Sequence, residues 1–281
     1  MIDLHTHTTA SDGTDSPAAL VNKALSAGIT TLAITDHDST AGWDEAITAT
    51  RSPLNLVLGA EISTLTLDGV SVHMLGLLFD GEDKSMQEML ADSRDTRIPR
   101  MRKMIELLAA DGIDISLEDV MAATPTGATL GRPHLADALV RNNVVKSRDE
   151  AFLELLHNDS KYYVTHAAPT PEEAIIKINK AGGVAVIAHP FASRRGEIIS
   201  AQTFKDLVTA GLHGIEVNHR DHSQAERENL NEIADQLGLV KTGSSDYHGH
   251  GKLNALGENL TDPEQWARLE SLANARRVVK K

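Results

Sequence analysis

The sequence predicts an α/β fold in which an α/β barrel is interrupted by an all-helical insertion. Short apolar runs alternate with helical patterns along most of the chain, which is typical of a mainly parallel sheet, either open or closed into a barrel. From about Gly81 to about Lys161 the helical patterns continue without a convincing strand. We therefore divide the chain into a first barrel part (1–80), a helical insertion or lid (81–161) and a second barrel part (162–281).

Seven apolar runs carry the strand prediction. They are Ile2–His5, Thr31–Asp36, Asn55–Glu61, Val70–Leu78, Val184–His189, Gly214–Asn218 and Leu239–Gly243. Helix starts lie between them at Ser16-Pro17, Thr170-Pro171 and Asp262-Pro263. A capping side chain followed by proline favours a first helical turn, because the oxygen accepts a free backbone N–H and proline has none to leave unpaired. Glu173 completes a capping box with Thr170.

Within the insertion, one helix face is marked by apolar residues at i, i+3, i+4 and i+7. These residues are Met101, Met104, Ile105 and Leu108. Pro99 bounds or kinks this helix. A capping box begins at Ser116, and further helices are expected over Arg132–Arg141 and Arg148–Leu156.

Composition excludes several classes of protein. With 27 basic and 40 acidic residues the net charge is −13, which disfavours binding to duplex DNA. The absence of cysteine excludes disulfide scaffolds, thiolate zinc sites, iron–sulfur clusters and cysteine nucleophiles. No apolar run approaches the roughly 18 residues of a membrane span. The opening Met1–His5 shows no signal peptide. These observations favour a cytoplasmic protein that does not bind a membrane.

The sequence contains 13 histidines, and several of them follow the predicted strands, where α/β enzymes carry their chemistry. His5 and His7 point to one face, roughly 6–7 Å apart along the backbone, and Asp12 follows in a turn. The other strand-end residues of this kind are His37, Glu61, His73, His189, Asp246 and His248. Buried imidazoles and carboxylates are costly unless they are paired or bound to metal. Nitrogen and oxygen ligands without thiolate indicate Mn²⁺, Zn²⁺, Fe²⁺ or Mg²⁺.

Charge then suggests the substrate class. Three divalent cations would outweigh the negative charges of Asp12, Glu61 and Asp246, so the occupied site would be cationic in an otherwise acidic protein. An anionic substrate suits such a site, and phosphate suits it best.

The ordered motifs resemble the PHP (polymerase and histidinol phosphatase) family. They are Asp3-Leu4-His5-Thr6-His7-Thr8, Ser11-Asp12-Gly13, Ile34-Thr35-Asp36-His37-Asp38, Gly59-Ala60-Glu61, His73, Ala188-His189-Pro190 and Gly243-Ser244-Ser245-Asp246-Tyr247-His248. The resemblance implies a distorted (β/α)7 barrel and hydrolysis of phosphoesters by two or three divalent ions, with Mn²⁺ expected.

The resemblance also implies a ligand set. A first metal is assigned to His5, His7, Glu61 and Asp246, a second to Glu61 with His73 and His189, and a third to Asp12, His37 and His248. Asp12 departs from histidinol-phosphatase-like members, which often have histidine there. The residues expected to carry catalysis are His5, His7, Asp12, Glu61 and Asp246. Asp3 and Asp36 are possible partners that orient the ligating imidazoles.

The helical insertion is similar to the lid of the nucleotide-specific subgroup. The implied reaction is removal of a phosphate, the 3′-phosphate by expectation, from a nucleoside 3′,5′-bisphosphate by a water that bridges two metals. His219, His222 or a metal-bound water could protonate the leaving group. The residues expected to contact phosphate are Arg132, His134, Arg194 and His222. The basic residues between Arg94 and Lys103 are expected on a solvated helix face.

Other functions remain open. A 5′-to-3′ exoribonuclease could use the same metals on short RNA, along a basic track. A histidinol-phosphatase-like enzyme and a non-catalytic accessory domain are further alternatives, although the intact ligand set argues against the second. An amidohydrolase also begins with His-x-His, but that class typically adds a strand-end lysine, which this sequence lacks.

Overall fold

The strands form one seven-stranded sheet whose spatial order follows the chain order. The computed structural model describes residues 1–165, 167–193 and 196–281. The strands are β1 (Ile2–Asp3), β2 (Thr31–Ile34), β3 (Asn55–Leu65), β4 (Ser71–Leu77), β5 (Val184–Ala188), β6 (Gly214–Asn218) and β7 (Val240–Gly243). A parallel bridge between Thr6 and Tyr247 joins the two ends of the sheet. The predicted α/β barrel is confirmed as a nearly closed barrel.

One strand runs against the others. The pairs β1–β2, β2–β3, β5–β6 and β6–β7 are parallel, whereas β4 is antiparallel to both neighbours. The connection from β3 to β4 is a short turn in which Thr66 accepts a bond from Gly69. So short a connection can join only antiparallel strands. The sheet is therefore mainly parallel, as predicted, with a reversal that periodicity does not reveal.

Three of the six barrel helices that the structure describes begin at the predicted capping residues. The six helices are α1 (Pro17–Ser26), α2 (Trp43–Ala49), α8 (Pro171–Lys180), α9 (Ala201–Ala210), α10 (Gln224–Leu237) and α11 (Pro263–Leu272). The side chains of Ser16, Thr170 and Asp262 each accept bonds from the first-turn backbone, and Glu173 completes its capping box. In the part of the chain that the structure covers, no helix has the length and apolar character needed to cross a membrane.

The insertion contains helices α3 (Lys84–Asp95), α4 (Arg97–Ala110), α5 (Leu117–Ala123), α6 (Arg132–Arg141) and α7 (Arg148–Glu154). The first of them buries Met86, Met89 and Leu90 in the barrel core. The next four surround a separate apolar cluster that includes Met101 and Leu108. Pro99 lies in the first turn of α4, where its missing N–H costs no helical bond.

Alternate strand residues fill the inside of the barrel. Ala33, Val57, Leu75 and Val186 belong to this inner cluster, whereas their strand neighbours pack against the helices. Helix α11 adds Trp266 to the same cluster. Because side chains fill the interior, chemistry is confined to the strand ends, as in other α/β barrels.

Candidate metal centre

The predicted ligands converge at the carboxyl ends of the parallel strands. His5 and His7 follow β1, His37 follows β2, His189 follows β5, and both Asp246 and His248 follow β7. Glu61 lies within the long strand β3, and His73 lies near the start of β4. Because β4 runs antiparallel, its first half meets the carboxyl ends of its neighbours. The reversal therefore brings His73 to the same edge.

The first predicted ligand group is compact and fully buried. The Nε2 atoms of His5 and His7 lie 3.0 Å apart. They lie 3.3 and 3.2 Å from Oε2 of Glu61, and 3.5 and 3.4 Å from Oδ1 of Asp246. Two nitrogens and two carboxylate oxygens thus face one point, and three of these residues form a group able to hold a metal ion.

Glu61 is the centre of the cluster. Its Oε1 lies 2.8 Å from Nδ1 of His73 and 3.1 Å from Nε2 of His189, while its Oε2 lies 3.0 Å from Nδ1 of His37. Burial alone would raise the pKa of Glu61, but the charges of His37 and His73 hold it well below its usual value. The ionised carboxylate can therefore bridge two cations through different oxygens.

Asp12 lies at the centre of the third predicted ligand group. Its Oδ1 lies 3.3 Å from Nε2 of His248 and 3.7 Å from Nδ1 of His7, and its Oδ2 lies 3.8 Å from Nε2 of His37. The side chains of His37 and His73 are exposed by 17% and 26%, whereas most of the cluster is buried. The cluster is therefore open to solvent on the side of His37 and His73.

The polar atoms of the cluster are better satisfied by a bound metal ion than by the protein alone. Among the residues that the structure describes, four buried atoms here make no well-aligned hydrogen bond, although other side chains of the cluster lie near them: Asp12 Oδ1, His37 Nδ1, His219 Nε2 and His248 Nε2. Such atoms are rare in native proteins and call for an unseen partner such as an ion. Mixed imidazole and carboxylate donors match a divalent first-row cation.

The backbone is strained at three strand ends of this site. Asp38, His189 and Asp246 have φ angles of 47°, 30° and 51°. Each such conformation costs a non-glycine residue about 1–3 kcal/mol. Strain at two assigned ligands and beside a third, His37, indicates that the surrounding packing holds these residues in place for function.

Hydrogen bonds orient the imidazoles of the cluster. Nδ1–H of His248 donates to the carbonyl of Asp246 at 2.7 Å. Nδ1–H of His5 faces Oε1 of Glu216 at 3.3 Å, and the same carboxylate accepts the backbone N–H of His189 at 2.8 Å. In both histidines the opposite nitrogen then presents a lone pair to the cluster. Sequence reasoning missed Glu216, although an acidic residue within an apolar strand could have revealed it.

Glu216→Gln should weaken metal binding roughly 10- to 100-fold, the usual cost of losing such a partner. The amide keeps the size of the side chain but removes the buried negative charge beside His5. Titration of the metal-free protein with Mn²⁺ measures this directly. Glu232→Gln on the surface of α10 is the control, and equal affinities for the two variants would contradict the role assigned to Glu216.

Asp3 and Asp36 support the ligand loops through other groups. Asp36 accepts bonds from Thr8 N (2.7 Å) and from the Ser11 hydroxyl (2.7 Å), which in turn lies 3.4 Å from Nδ1 of His7. Asp3 accepts the backbone N–H of Ser245, next to Asp246. Both carboxylates therefore act on the ligands indirectly.

Lys252 is a second residue that sequence reasoning missed. Its ammonium lies 3.0 Å from Oδ2 of Asp246. His219 lies on the same side, with Nε2 3.4 Å from that oxygen and Nδ1 accepting the backbone N–H of Asp221. This tautomer puts the His219 proton on Nε2, facing the cluster, and His219 as proton donor stays a prediction.

Two of the four predicted phosphate contacts have other partners. Nδ1 of His134 accepts from Gly131 N, and its Nε2 donates to the carbonyl of Ser11. Nε2 of His222 accepts from Phe191 N, and its Nδ1 donates to the carbonyl of Val217. Both rings use both nitrogens on backbone, which argues against them as phosphate ligands and against His222 as the proton donor.

The other two predicted contacts are arginines. Arg132 donates to the carbonyl of Leu156 and to Asn158, and its guanidinium lies 5.2 Å from the ring centre of Tyr163. Arg194 lies outside the described residues.

The expectation of a solvated basic face between Arg94 and Lys103, at the end of α3 and in α4, is wrong for three of its five residues. Arg97 is buried and bonds to the Asp38 carboxylate and to the hydroxyl of Ser63. Arg94 donates to the Asp38 carbonyl, and Arg100 donates through Nε to another backbone carbonyl. Of the five basic residues, Arg102 and Lys103 are exposed. Tertiary contacts thus turn one face of this segment towards the barrel.

Comparisons with known proteins agree with this geometry. The family model for the PHP domain matches residues 3–115. The chain is 33% identical over 252 residues to a 3′,5′-nucleoside bisphosphate phosphatase of Chromobacterium violaceum, covering 89% of this chain and 88% of that protein. It is 37% identical over 268 residues to the 5′-3′ exoribonuclease Rnm of Escherichia coli, covering 93% and 89%. A crystal structure from Bifidobacterium adolescentis, provisionally described as a metal-dependent phosphoesterase, has a TM-score of 0.92 at 41% identity and covers 97% of this chain and 96% of its own.

The barrel and its histidine–carboxylate cluster define a metal-dependent phosphoesterase. The chain belongs to the PHP family. The resemblance carried by its motifs is confirmed, as is its assignment to the enzymes that hydrolyse phosphoric esters.

Proposed function

We propose that this enzyme removes a phosphate, the 3′-phosphate by preference, from a nucleoside 3′,5′-bisphosphate. The metal centre would bind one phosphate, and a pair of arginines in the insertion supports a place for the second. The guanidinium groups of Arg100 and Arg132 lie 5.3 and 5.2 Å from the ring centre of Tyr163. Burial, followed by the charge of Arg132, lowers the pKa of Arg100 to about 10. A phosphate bound beside these guanidinium groups would offset the repulsion between their charges.

The ligands of the metals are proposed as assigned from the motifs. His5, His7, Glu61 and Asp246 would hold the first ion, Glu61 with His73 and His189 the second, and Asp12 with His37 and His248 the third. We propose Mn²⁺, with Zn²⁺, Fe²⁺ and Mg²⁺ as alternatives, because the donors are imidazoles and carboxylates. When bound, such ions lower the pKa of water and neutralise charge on a phosphoryl oxygen.

The protein's own residues would then position the substrate and manage the proton. Arg132 and Arg100 would bind the remote phosphate and so orient the other towards Glu61. His219 would hold a proton at Nε2 for the leaving oxygen. We also propose the division into residues 1–80, 81–161 and 162–281, supported by the separate apolar cluster around α4–α7.

The similarity to an exoribonuclease supports a second candidate, release of mononucleotides from the 5′ end of short RNA. The test is phosphate release by Mn²⁺-loaded enzyme from adenosine 3′,5′-bisphosphate, compared with shortening of a 5′-phosphorylated RNA. We expect rapid phosphate release with AMP left behind and little RNA shortening. Mononucleotides from the RNA at a higher rate would favour the nuclease.

Arg132→Ala should reduce kcat/KM for the bisphosphate roughly 10- to 100-fold, the scale of a charged hydrogen bond. p-Nitrophenyl phosphate has no second phosphate and should be hydrolysed within about twofold of the wild-type rate. Steady-state kinetics on both substrates gives the comparison, with exposed Arg102→Ala on α4 as the control. An equal loss of kcat/KM on both substrates would show that Arg132 does not bind the second phosphate.

A further inference from the structure

Three consecutive backbone carbonyls of the Asp12 turn accept hydrogen bonds from the insertion. The bonds run from Thr129 N to Ala10 O (3.0 Å), from His134 Nε2 to Ser11 O (3.0 Å) and from Arg148 Nη1 to Asp12 O (3.3 Å). The donors come from the segment before α6, from α6 and from α7. Several parts of the insertion therefore hold one short turn that carries an assigned metal ligand.

The bond from His134 is fixed in direction by the start of its own helix. The backbone N–H of Gly131 donates to Nδ1 of His134 at 3.0 Å, so Nε2 must carry the proton that reaches Ser11. The His134 side chain is buried, with 2% exposure of the residue. One neutral imidazole thus caps α6 and binds the turn, which ties the position of the turn to that of the helix.

Arg148 connects two ligand loops. Asp137 holds its guanidinium through two bonds of 2.5 Å, which leaves Nη1 to reach Asp12. A Cβ at Gly251 would lie 2.1 Å from Nη1, so the guanidinium also packs closely on the loop that follows His248. Arg148 therefore lies against both the Asp12 turn and the His248 loop.

The insertion also holds the loop of the third ligand, His37. The next residue, Asp38, receives Arg97 at its carboxylate and Arg94 at its carbonyl. Arg97 donates in addition to the carbonyl of Leu130, just before α6. All three loops that carry Asp12, His37 and His248 are thus in contact with residues of the insertion.

We propose that the helical insertion is the structural support of the metal site formed by Asp12, His37 and His248, and that His134 and Arg148 are its positioning residues. This inference rests on the ligand assignment of the proposed function. Without the two side chains, the carbonyls of Ser11 and Asp12 lose their donors from the insertion, so the turn is held less firmly in place. A shift of the Asp12 carboxylate by a fraction of an ångström is enough to weaken a metal site.

The test is the number and affinity of Mn²⁺ ions bound per chain, measured by equilibrium dialysis and elemental analysis without reference to activity. Asp12→Ala first identifies the class of ions that belongs to this site. We expect His134→Leu and Arg148→Met to weaken that class roughly 10- to 100-fold. His134→Gln, whose amide can both accept from Gly131 and donate to Ser11, should stay within about threefold of the wild type. Exposed Arg141→Met on α6 is the control.

Asp12→Ala tests the assignment of the metal ligands, whereas His134→Leu and Arg148→Met test the supporting role of the insertion. If Asp12→Ala removes no class of ions, the ligand assignment fails and the inference falls with it. If Asp12→Ala removes a class of ions but His134→Leu and Arg148→Met bind Mn²⁺ as Arg141→Met does, the inference alone is overturned. Thermal unfolding of the metal-free proteins shows which variants are folded. If His134→Leu is unfolded, the affinity of Arg148→Met for Mn²⁺ tests the inference, because this variant keeps the aliphatic stem of the side chain.

Discussion

Glu61→Gln should abolish phosphate release, with a loss of about a thousandfold or more. The carboxylate is buried and faces five imidazoles, and its two oxygens serve different groups of them. Glutamine keeps the shape, but it loses the charge and directs an amide N–H at ring nitrogens or at a cation. A loss of about 4 kcal/mol of transition-state stabilisation, which is of the size that metal ions supply, corresponds to this factor.

The measurement is phosphate release from p-nitrophenyl phosphate together with the Mn²⁺ content of the purified variant. Both should fall, and added Mn²⁺ should not restore the rate. Glu88→Gln, at an exposed position of α3, should match the wild type in both respects. A Glu61→Gln enzyme with a full metal content and more than a tenth of the wild-type rate would refute the bridging assignment.

Gly13→Ala should destabilise the protein by about 1–3 kcal/mol and remove the ions bound through Asp12. A Cβ at position 13 would lie 2.5 Å from the carbonyl oxygen of His7 and 2.8 Å from Thr8 N. Backbone atoms on a ligand-bearing segment cannot move aside without displacing His7, so the turn itself must shift. Overpacking of this kind typically costs about 1–3 kcal/mol, and the Asp12 carboxylate moves with the turn.

Urea unfolding of the metal-free protein gives the stability change, and Mn²⁺ dialysis gives the metal content. Gly238→Asn is the matched control, because Gly238 ends α10 with a φ of 67° that asparagine tolerates and no atom lies within 4 Å of its Cβ position. Wild-type stability and metal content in Gly13→Ala would show that the turn does not need this close approach.

The sequence by itself determined the strands, several helix starts and the histidines and carboxylates that lie together in the cluster. Apolar alternation and proline-led caps depend on residues a few positions apart, which is why the helix starts after Ser16, Thr170 and Asp262 were predicted correctly. The ends of parallel strands in such folds meet at one edge, so the grouping of histidines and carboxylates at those ends could be predicted from the sequence. Glu61 and His73 lie in strands that were predicted from their apolar residues, but Glu61 lies within β3, and His73 reaches the same edge only because β4 is antiparallel.

Tertiary structure decided which partner each buried polar group has. Glu216 meets His5, 211 positions earlier in the chain, and His134 meets Ser11, 123 positions earlier. His222 similarly forms hydrogen bonds to backbone groups through both of its ring nitrogens. Hydrogen-bonding capacity is a property of the residue, but its use depends on which segments pack together, and local spacing carries no information about that. The members of the histidine–carboxylate cluster could therefore be predicted from the sequence, whereas the residues that hold them in position became visible only in the folded chain.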